Sequence, residues 1–517
     1  MRAPLVLLGA AVAAAQAANS NYTGPLRPQV HFSPPYNFMN DPNGLHYDAK
    51  RGIYHLYYQW NPYQIVAGNQ HWGHATSKDL YHWDNQPVAI SPDKEGEWIF
   101  SGSAVIDKDN TSGFFPDQDD GVVAIYTLAT ATLQTQDIAY SRDGGYTFTK
   151  YENNPVINIG SSQFRDPQVT WHAETQQWVM TLAYAQDLVI GFYTSPNLRD
   201  WTHASNFTQP SLPGDQFECP NLVKFPVDPK VAKDTSKYVL FISVNPGAPL
   251  GGSGTFYLVG TFNGTHFNSE TPHETLYDFA QDNYASQWYS ELPGGSPPLS
   301  FGWASNWNYA QDVPTGPLEG WRSAMSLPKT HTLTKVDGSW VVTSEPFNDM
   351  DCVRGKPLKA QRSRNGDVTF DFSDIESNAV SFDVDINGIP SSHATGQINF
   401  NFTSSTSGEY IDGGLDLDTG LFWINRAGAH LFTPADNSGW STSFNTTVKN
   451  LFNKGKFTFN GVIDRSLLEV TLADGVQVGT MSFFPTHPLD TLTVSGCDLS
   501  KKTSFRVKAW GLESAWE

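Results

Sequence analysis

Short runs dominated by β-branched and aromatic residues recur along the chain, among them "IYHLYYQW", "GVVAIYTL", "QWVMTLAY" and "KYVLFISV". Gly, Asn, Asp and Pro bound them, so they read as strands with breaks between. A turn pattern also returns. "SKDLYHW" starts at Ser77, "SRDGGYTF" at Ser141 and "SPNLRDW" at Ser195, with a fainter "GTFNGTHF" at Gly260. Each is a polar turn closed by an aromatic. A spacing of about 55–65 residues exceeds a solenoid repeat and suits a four-stranded unit with long loops. Residues 30–340 have room for about five such units, which predicts a five-bladed β-propeller. A two-sheet sandwich with chance similarity of its turns is the alternative.

The texture then changes. "GDVTFDFSD", "AVSFDVDIN", "GQINFNFTS", "GKFTFNGVID" and "LLEVTLADG" alternate more cleanly, with shorter turns. This predicts a C-terminal β-sandwich. The expected division is a propeller over 25–345, a linker over 346–364 and a sandwich over 365–517. The linker stretch has few apolar and several basic residues. No long amphipathic helix is expected outside the leader.

The chain has 517 residues, enough for two domains. Its start places Arg2 before an apolar stretch that ends in Ala15-Gln16-Ala17. Residues 1–18 therefore read as a cleaved secretory signal, and the protein is expected to be secreted. No later run is long enough to span a membrane. Glycosylation acceptors at Asn21, Asn110, Asn206, Asn263, Asn401 and Asn445 agree with that route, so N-glycans are expected. Cys219, Cys352 and Cys497 allow at most one disulfide, with Cys352–Cys497 as the expected pair. No Cys/His cluster has zinc-site spacing, and no metal or cofactor is expected. The net charge of −20 argues against nucleic acid or an anionic membrane as partner and favours a neutral substrate.

Three acids stand out by context: Asp41 in "MNDPNG", Asp166 in "QFRDPQV" and Glu218 in "QFECPNL". Each adjoins or precedes a proline. In a propeller, an acid near the start of an inner strand points into the axial pocket. Glycosidic cleavage uses one carboxylate to attack or support the sugar carbon and another, protonated, to release the leaving oxygen. Neighbouring acids also push their pKa values apart, which supplies both roles at one pH. Taken singly, any of the three reads as a turn cap.

Together with "HFSPPYNFMNDPNGL", "HWGHATSKDLYHW", "FSGSAV", "QDNYAS", "WASNWNYAQDVPT" and "WRSAMSLP", these motifs resemble glycoside hydrolase family 32, the secreted β-fructofuranosidases. The resemblance covers nearly the whole mature chain. It implies a five-bladed propeller followed by a sandwich, acting on sucrose and fructo-oligosaccharides. It also implies Asp41 as nucleophile, Asp166 as transition-state stabiliser and Glu218 as acid/base. Pro42-Asn43-Gly44 would then be the turn that holds Asp41. By position, Asn40, Gln59, Phe100, Ser101 and Arg165 would line the fructosyl subsite. Arg165 would also keep Asp166 ionised. Tyr284 would tune Glu218 or contact sugar, and Trp307 would be a stacking wall. One position departs from the family. Ala67 stands where many members carry Trp, so that either the site is opened or another aromatic, Trp60 or Trp72, fills the gap.

Three functions compete: a hydrolase releasing terminal fructose with some transfructosylation, a fructosyltransferase sharing its first half-reaction, and a catalytically dead carbohydrate-binding propeller. All three acids being present weighs against the last. The sandwich, which carries none of them, is expected to stabilise the chain or to form a subunit contact such as a homodimer.

Overall fold

A computed structural model describes residues 22–391, 393–448 and 455–516, with the side chains of 349 and 359 left aside. The expected leader, residues 1–18, and the acceptor Asn21 lie outside these residues. The chain is all-β. Among the described residues the helices are two short pieces, Thr315–Glu319 and the 3-10 turn Phe347–Met350.

The described residues form seven sheets. Five lie between residues 37 and 346, and their first strands are Asn37–Asp48, Trp98–Ile106, Phe164–His172, Phe217–Pro226 and Tyr284–Trp288. Each first strand packs against the next, and the fifth returns to the first. Apolar cores fill the gaps between neighbouring sheets. Tyr57 and Trp72 meet Ile99 and Tyr126, for example, while Leu56 and Tyr58 meet Leu299 and Phe301 where the fifth sheet meets the first. The short strand Trp321–Arg322 leaves the fifth unit to pair in parallel with Asn37 and Phe38. Late residues of this region thereby stitch onto its first strand.

The recurring turns join the third and fourth strands of successive sheets. In each of the first three, the leading serine hydroxyl bonds the side chain two residues on. Ser77 bonds Asp79 at 3.2 Å, Ser141 bonds Asp143 at 2.7 Å and Ser195 bonds Asn197 at 3.2 Å. The closing tryptophans, Trp83 and Trp201, donate their indole N–H back to the carbonyls of Leu80 and Leu198. Both leucines hold left-handed φ, 73° and 64°. The pattern in the sequence is thus a repeated Asx/Ser turn with its own hydrogen-bond wiring.

Two six-stranded sheets follow, running from Arg354 to Leu512. Their facing sides alternate Val380, Phe382, Val384 and Ile386 against Ile398, Phe400 and Phe402 in one continuous core. Most of the expected linker is not a connection. Arg354–Ser363 is a strand of the first of these sheets and pairs with Ser504–Leu512. Its polar composition hid this, because backbone pairing needs no apolar side chains. The expected Cys352–Cys497 disulfide is also absent, since all three cysteines are free. The Cys497 thiol faces Asp498 at 3.6 Å. Cys352 lies with Asp79 and His82 in a group whose ligand-type atoms fall within 4.8 Å of one another.

Buried charges bind the C-terminal sheets to the rest. His31 meets Asp464 at 2.8 Å and Glu469 at 3.3 Å, Lys329 meets Glu469 at 2.6 Å, and Arg426 meets Asp282 at 2.9 Å. Burial opposes charge on His31, but the two carboxylates outweigh it and hold its pKa up at about 9.

A second histidine group behaves in the opposite way. His46, His55 and His74 stack in a fully buried column at ring separations of 4.4 and 5.2 Å. Burial lowers their pKa values, that of His46 to about 4 and that of His74 to about 3. His55 falls furthest, because charge on either neighbour adds repulsion. These rings are neutral in the fold and protonate in the unfolded chain below about 6.5. Their contribution to stability is complete above that value and drains as pH falls towards the folded values. For His46 alone the full effect is on the order of 3 kcal/mol. Thermal midpoints measured from pH 7 to pH 4 should fall less steeply in His46→Gln than in the parent chain. Parallel curves would rule the column out as a source of acid lability.

Candidate active site

The first strand of each of the five sheets carries a β-bulge, and the bulges sit where the candidate residues lie. The register breaks between Met39 and Pro42, between Ile99 and Gly102, opposite Thr181 and Ala183, between Glu218 and Asn221, and between Tyr284 and Gln287. A bulge leaves a residue unpaired and re-aims its side chain. Asp41, Ser101, Asp166, Glu218 and Tyr284 are all at or beside such a break. Three residues in these bulges are driven into left-handed backbone: Asp166 at φ 65°, Cys219 at 46° and Ala285 at 51°. Strain of this kind in non-glycine residues is characteristic of functional sites. The prolines next to the acids therefore do not make turns. Pro42-Asn43-Gly44 lies within the strand Asn37–Asp48, and the expected turn is replaced by a bulge.

Asp41 and Asp166 converge on Cys219, the residue that follows Glu218. Its backbone N–H donates to Asp166 Oδ2 at 2.9 Å, and its thiol reaches Asp41 Oδ2 at 3.4 Å and Asp166 Oδ2 at 3.6 Å. Burial and the three acids push the thiol pKa well up, so it stays protonated and donates. Ser101 Oγ–H donates to the same Asp41 oxygen at 2.7 Å. Asp41 Oδ1 is buried and has no partner among the described residues, nor has the amide nitrogen of Gln59. One carboxylate oxygen of Asp41 is thus held by two donors while the other is uncommitted.

Glu218 is gripped from both sides. Arg165 donates to Oε1 through Nε at 3.1 Å and Nη2 at 2.9 Å, and the Tyr284 hydroxyl donates to Oε2. Arg165 is itself fixed by the side-chain carbonyls of Gln163, at 2.8 Å, and Gln216, at 2.6 Å. These glutamines were missed in reading the sequence, although a signal was there. "QF" precedes both acid motifs, as Gln163-Phe164 and Gln216-Phe217.

The electrostatics correct one expectation. The guanidinium of Arg165 bonds Glu218, not Asp166. Burial raises the Asp166 pKa, and Glu218 and Asp41 add to the rise, against the opposing charge of Arg165. Asp41 is raised likewise, by burial and by Glu218, with Ser101 and Asn40 opposing. Asp41 and Asp166 are both buried and share the Cys219 thiol, so their protons belong to the pair before either residue.

The other candidates surround this centre. Asn40, Gln59 and Ser101 are buried, and Phe100 is half-buried in the bulge next to Ser101. Trp307 packs half-buried with Phe38, Cys219, Tyr284 and Trp303, and Ala67 joins the same cluster. Neither Trp60 nor Trp72 fills the space beside Ala67. Trp60 donates to the Tyr36 carbonyl and packs in the core between sheets five and one. Trp72 donates to the Phe100 carbonyl and is fully buried. The aromatics that share Ala67's cluster are Phe38, Tyr284, Trp303 and Trp307.

Comparison with known proteins accords with this arrangement. Residues 31–344 match the glycosyl hydrolases family 32 N-terminal domain, and residues 349–511 match the family 32 C-terminal domain. An extracellular exo-inulinase of Meyerozyma guilliermondii is 39% identical over 487 residues, covering 89% of this chain and 90% of that one. An invertase of Debaryomyces hansenii is 38% identical over 480 residues, covering 89% and 88%. The β-fructofuranosidase of Schwanniomyces occidentalis, solved with fructosyl-erythritol, superposes with a TM-score of 0.87 at 34% identity over 96% of this chain and 98% of that one. The chain belongs to glycosyl hydrolase family 32.

Proposed function

We propose that this protein is a secreted, retaining β-fructofuranosidase that hydrolyses terminal fructosyl units of sucrose and short fructans. The observation that carries the proposal is that Asp41 and Asp166 meet on Cys219, next to Glu218, with the three acids interacting from three different sheets. Relatives named invertase and exo-inulinase support the substrate class. The five sheets are read as propeller blades around an axis. Successive contact of their first strands, and a core between each pair, support that count. The C-terminal pair of sheets is read as a sandwich domain. Of the described glycan acceptors, Asn206, Asn263 and Asn445 are exposed and are the best placed to be occupied.

In the mechanism, the uncommitted Oδ1 of Asp41 attacks the anomeric carbon of the fructosyl unit. The bond from that carbon to the leaving sugar's oxygen breaks, and Glu218 gives that oxygen its proton. Glu218 then takes a proton from water, whose oxygen attacks the same carbon, and the carboxylate of Asp41 leaves. Asp166, held by the Cys219 N–H, accepts hydroxyls next to the reacting carbon. Arg165 and Tyr284 hold Glu218 in place while its charge alternates.

Transfer to a sugar acceptor shares the first half of this path. Product analysis on sucrose at low and high concentration separates the two outcomes. Equal fructose and glucose at both concentrations is the expected hydrolytic result. Glucose in large excess over fructose, with fructo-oligosaccharides formed even at low sucrose, would make the protein a transferase. No release of either sugar would leave only a binding role.

A further inference from the structure

Tyr284, which bonds Glu218, is preceded by a segment that the C-terminal sheets hold in place. The Phe279 N–H donates to the Val478 carbonyl at 2.9 Å, and the Asp282 N–H donates to Thr480 at 3.2 Å. Asp278 accepts both the N–H and the hydroxyl of Thr480, at 3.0 and 2.7 Å. The anchor is Asp282, fully buried two residues before Tyr284. Its Oδ2 accepts Arg426 Nη1 at 2.9 Å and the N–H and hydroxyl of Ser482 at 2.9 and 3.0 Å. Its Oδ1 accepts the Tyr309 hydroxyl at 2.5 Å.

Arg426 is fixed from every side. It donates to the carbonyls of Ser441 and Ser482, both at 2.7 Å, and to Gln281 Oε1 at 3.0 Å. Its guanidinium lies 3.3 Å from the ring centre of Trp440. The main-chain carbonyl of Gln281 accepts from Asn306, the neighbour of Trp307. One arginine from the C-terminal sheets thus braces two segments that reach the acids.

We infer that Arg426 is a positioning residue for Glu218, acting through Asp282 and Tyr284, which makes the C-terminal sheets part of the machinery that sets proton donation. This rests on the reading of Glu218 as acid/base. A fully buried pair with a complete set of bonds is geometrically strict, and losing one partner leaves the other charge buried without compensation. The segment would then relax, and Tyr284 would move with it.

The test uses the full-length protein and two substrates: sucrose, whose leaving group needs a proton, and β-fructosyl fluoride, whose leaving group does not. Arg426→Lys keeps the charge but cannot make the forked contact. It should lower kcat on sucrose by roughly 10- to 100-fold, as a misplacement near 1 Å does, while fluoride turnover changes by less than about threefold. The alkaline limb of kcat against pH on sucrose should shift as well. Arg426→Gln should be more severe. If it fails to fold, Tyr284→Phe removes the last link without touching the seam and should show the same substrate split. Equal losses of Arg426→Lys on both substrates, or no loss on either, would overturn the inference and leave Arg426 a purely structural residue. Glu218→Gln measured alongside separates the two levels. If it shows no split, the acid/base reading falls. If it shows the split and Arg426→Lys does not, only the positioning role falls.

Discussion

Asp41→Asn is expected to lose activity on sucrose by roughly four orders of magnitude or more, as removal of a nucleophile does, and at the same time to raise the thermal midpoint at pH 7. The two effects have one origin. Burial and the neighbouring Glu218 raise the folded pKa of Asp41 above that of an ordinary carboxyl. A raised acid favours the fold at low pH, where both states are protonated or the folded state holds its proton better. That contribution is lost as pH rises through the window between the unfolded and folded values. At neutral pH the Asp41 charge is therefore a cost to folding, and Asn does not carry it. Its amide is close in size and can accept from Ser101 as the carboxylate does. Differential scanning at pH 7 and pH 4 checks the sign: the gain should be present at the first and shrink at the second. A variant less stable than the parent at pH 7 would show that the cluster is not under electrostatic strain.

Glu218→Gln should slow sucrose cleavage by about two to four orders of magnitude, the range for losing a general acid. It should spare β-fructosyl fluoride, because fluoride leaves without a proton. The resting geometry makes this prediction sharper. Arg165 and Tyr284 both donate to Glu218 and fix its orientation toward the leaving group's oxygen. The acids that burial pushes upward are Asp41 and Asp166. Asp166 and Glu218 repel each other through their charges, so the alkaline limb of kcat/KM should move when Asp166 is replaced by Asn, although Asp166 donates to no leaving group. Identical slowing of Glu218→Gln on both substrates would remove Glu218 from the acid role.

The strands and their all-β character were legible because β-branched and aromatic runs need no partner to announce themselves. The repeated turns were legible for a related reason. Ser77 with Asp79, and Ser195 with Asn197, are bonds within a few residues, so the pattern that makes them is local in the chain. Asp41, Asp166 and Glu218 could be picked out because each sits in a short motif beside proline. The glutamines that hold Arg165 are equally local, since "QF" opens both motifs. Other features were beyond a local reading. Arg354–Ser363 looks like a polar linker, and only the last strand of the chain, Ser504–Leu512, makes it part of a sheet. Cys352 and Cys497 invite pairing by count, but a disulfide depends on distance, and each thiol faces other groups.

By itself, then, the sequence determined most of the strands, the turn wiring and which acids to single out, since these depend on side-chain type and on neighbours within a few positions. Tertiary structure decided how the acids are aimed and charged. The bulges that turn Asp41 and Glu218 inward arise from mismatched pairing with a neighbouring strand. The upward pull on Asp41 and Asp166 comes from burial and from charges more than fifty positions away in the chain. The hold of Arg426 on Asp282 joins residues from different sheets. Electrostatic energy follows distance in space and loss of water, and neither is written in the order of residues along the chain.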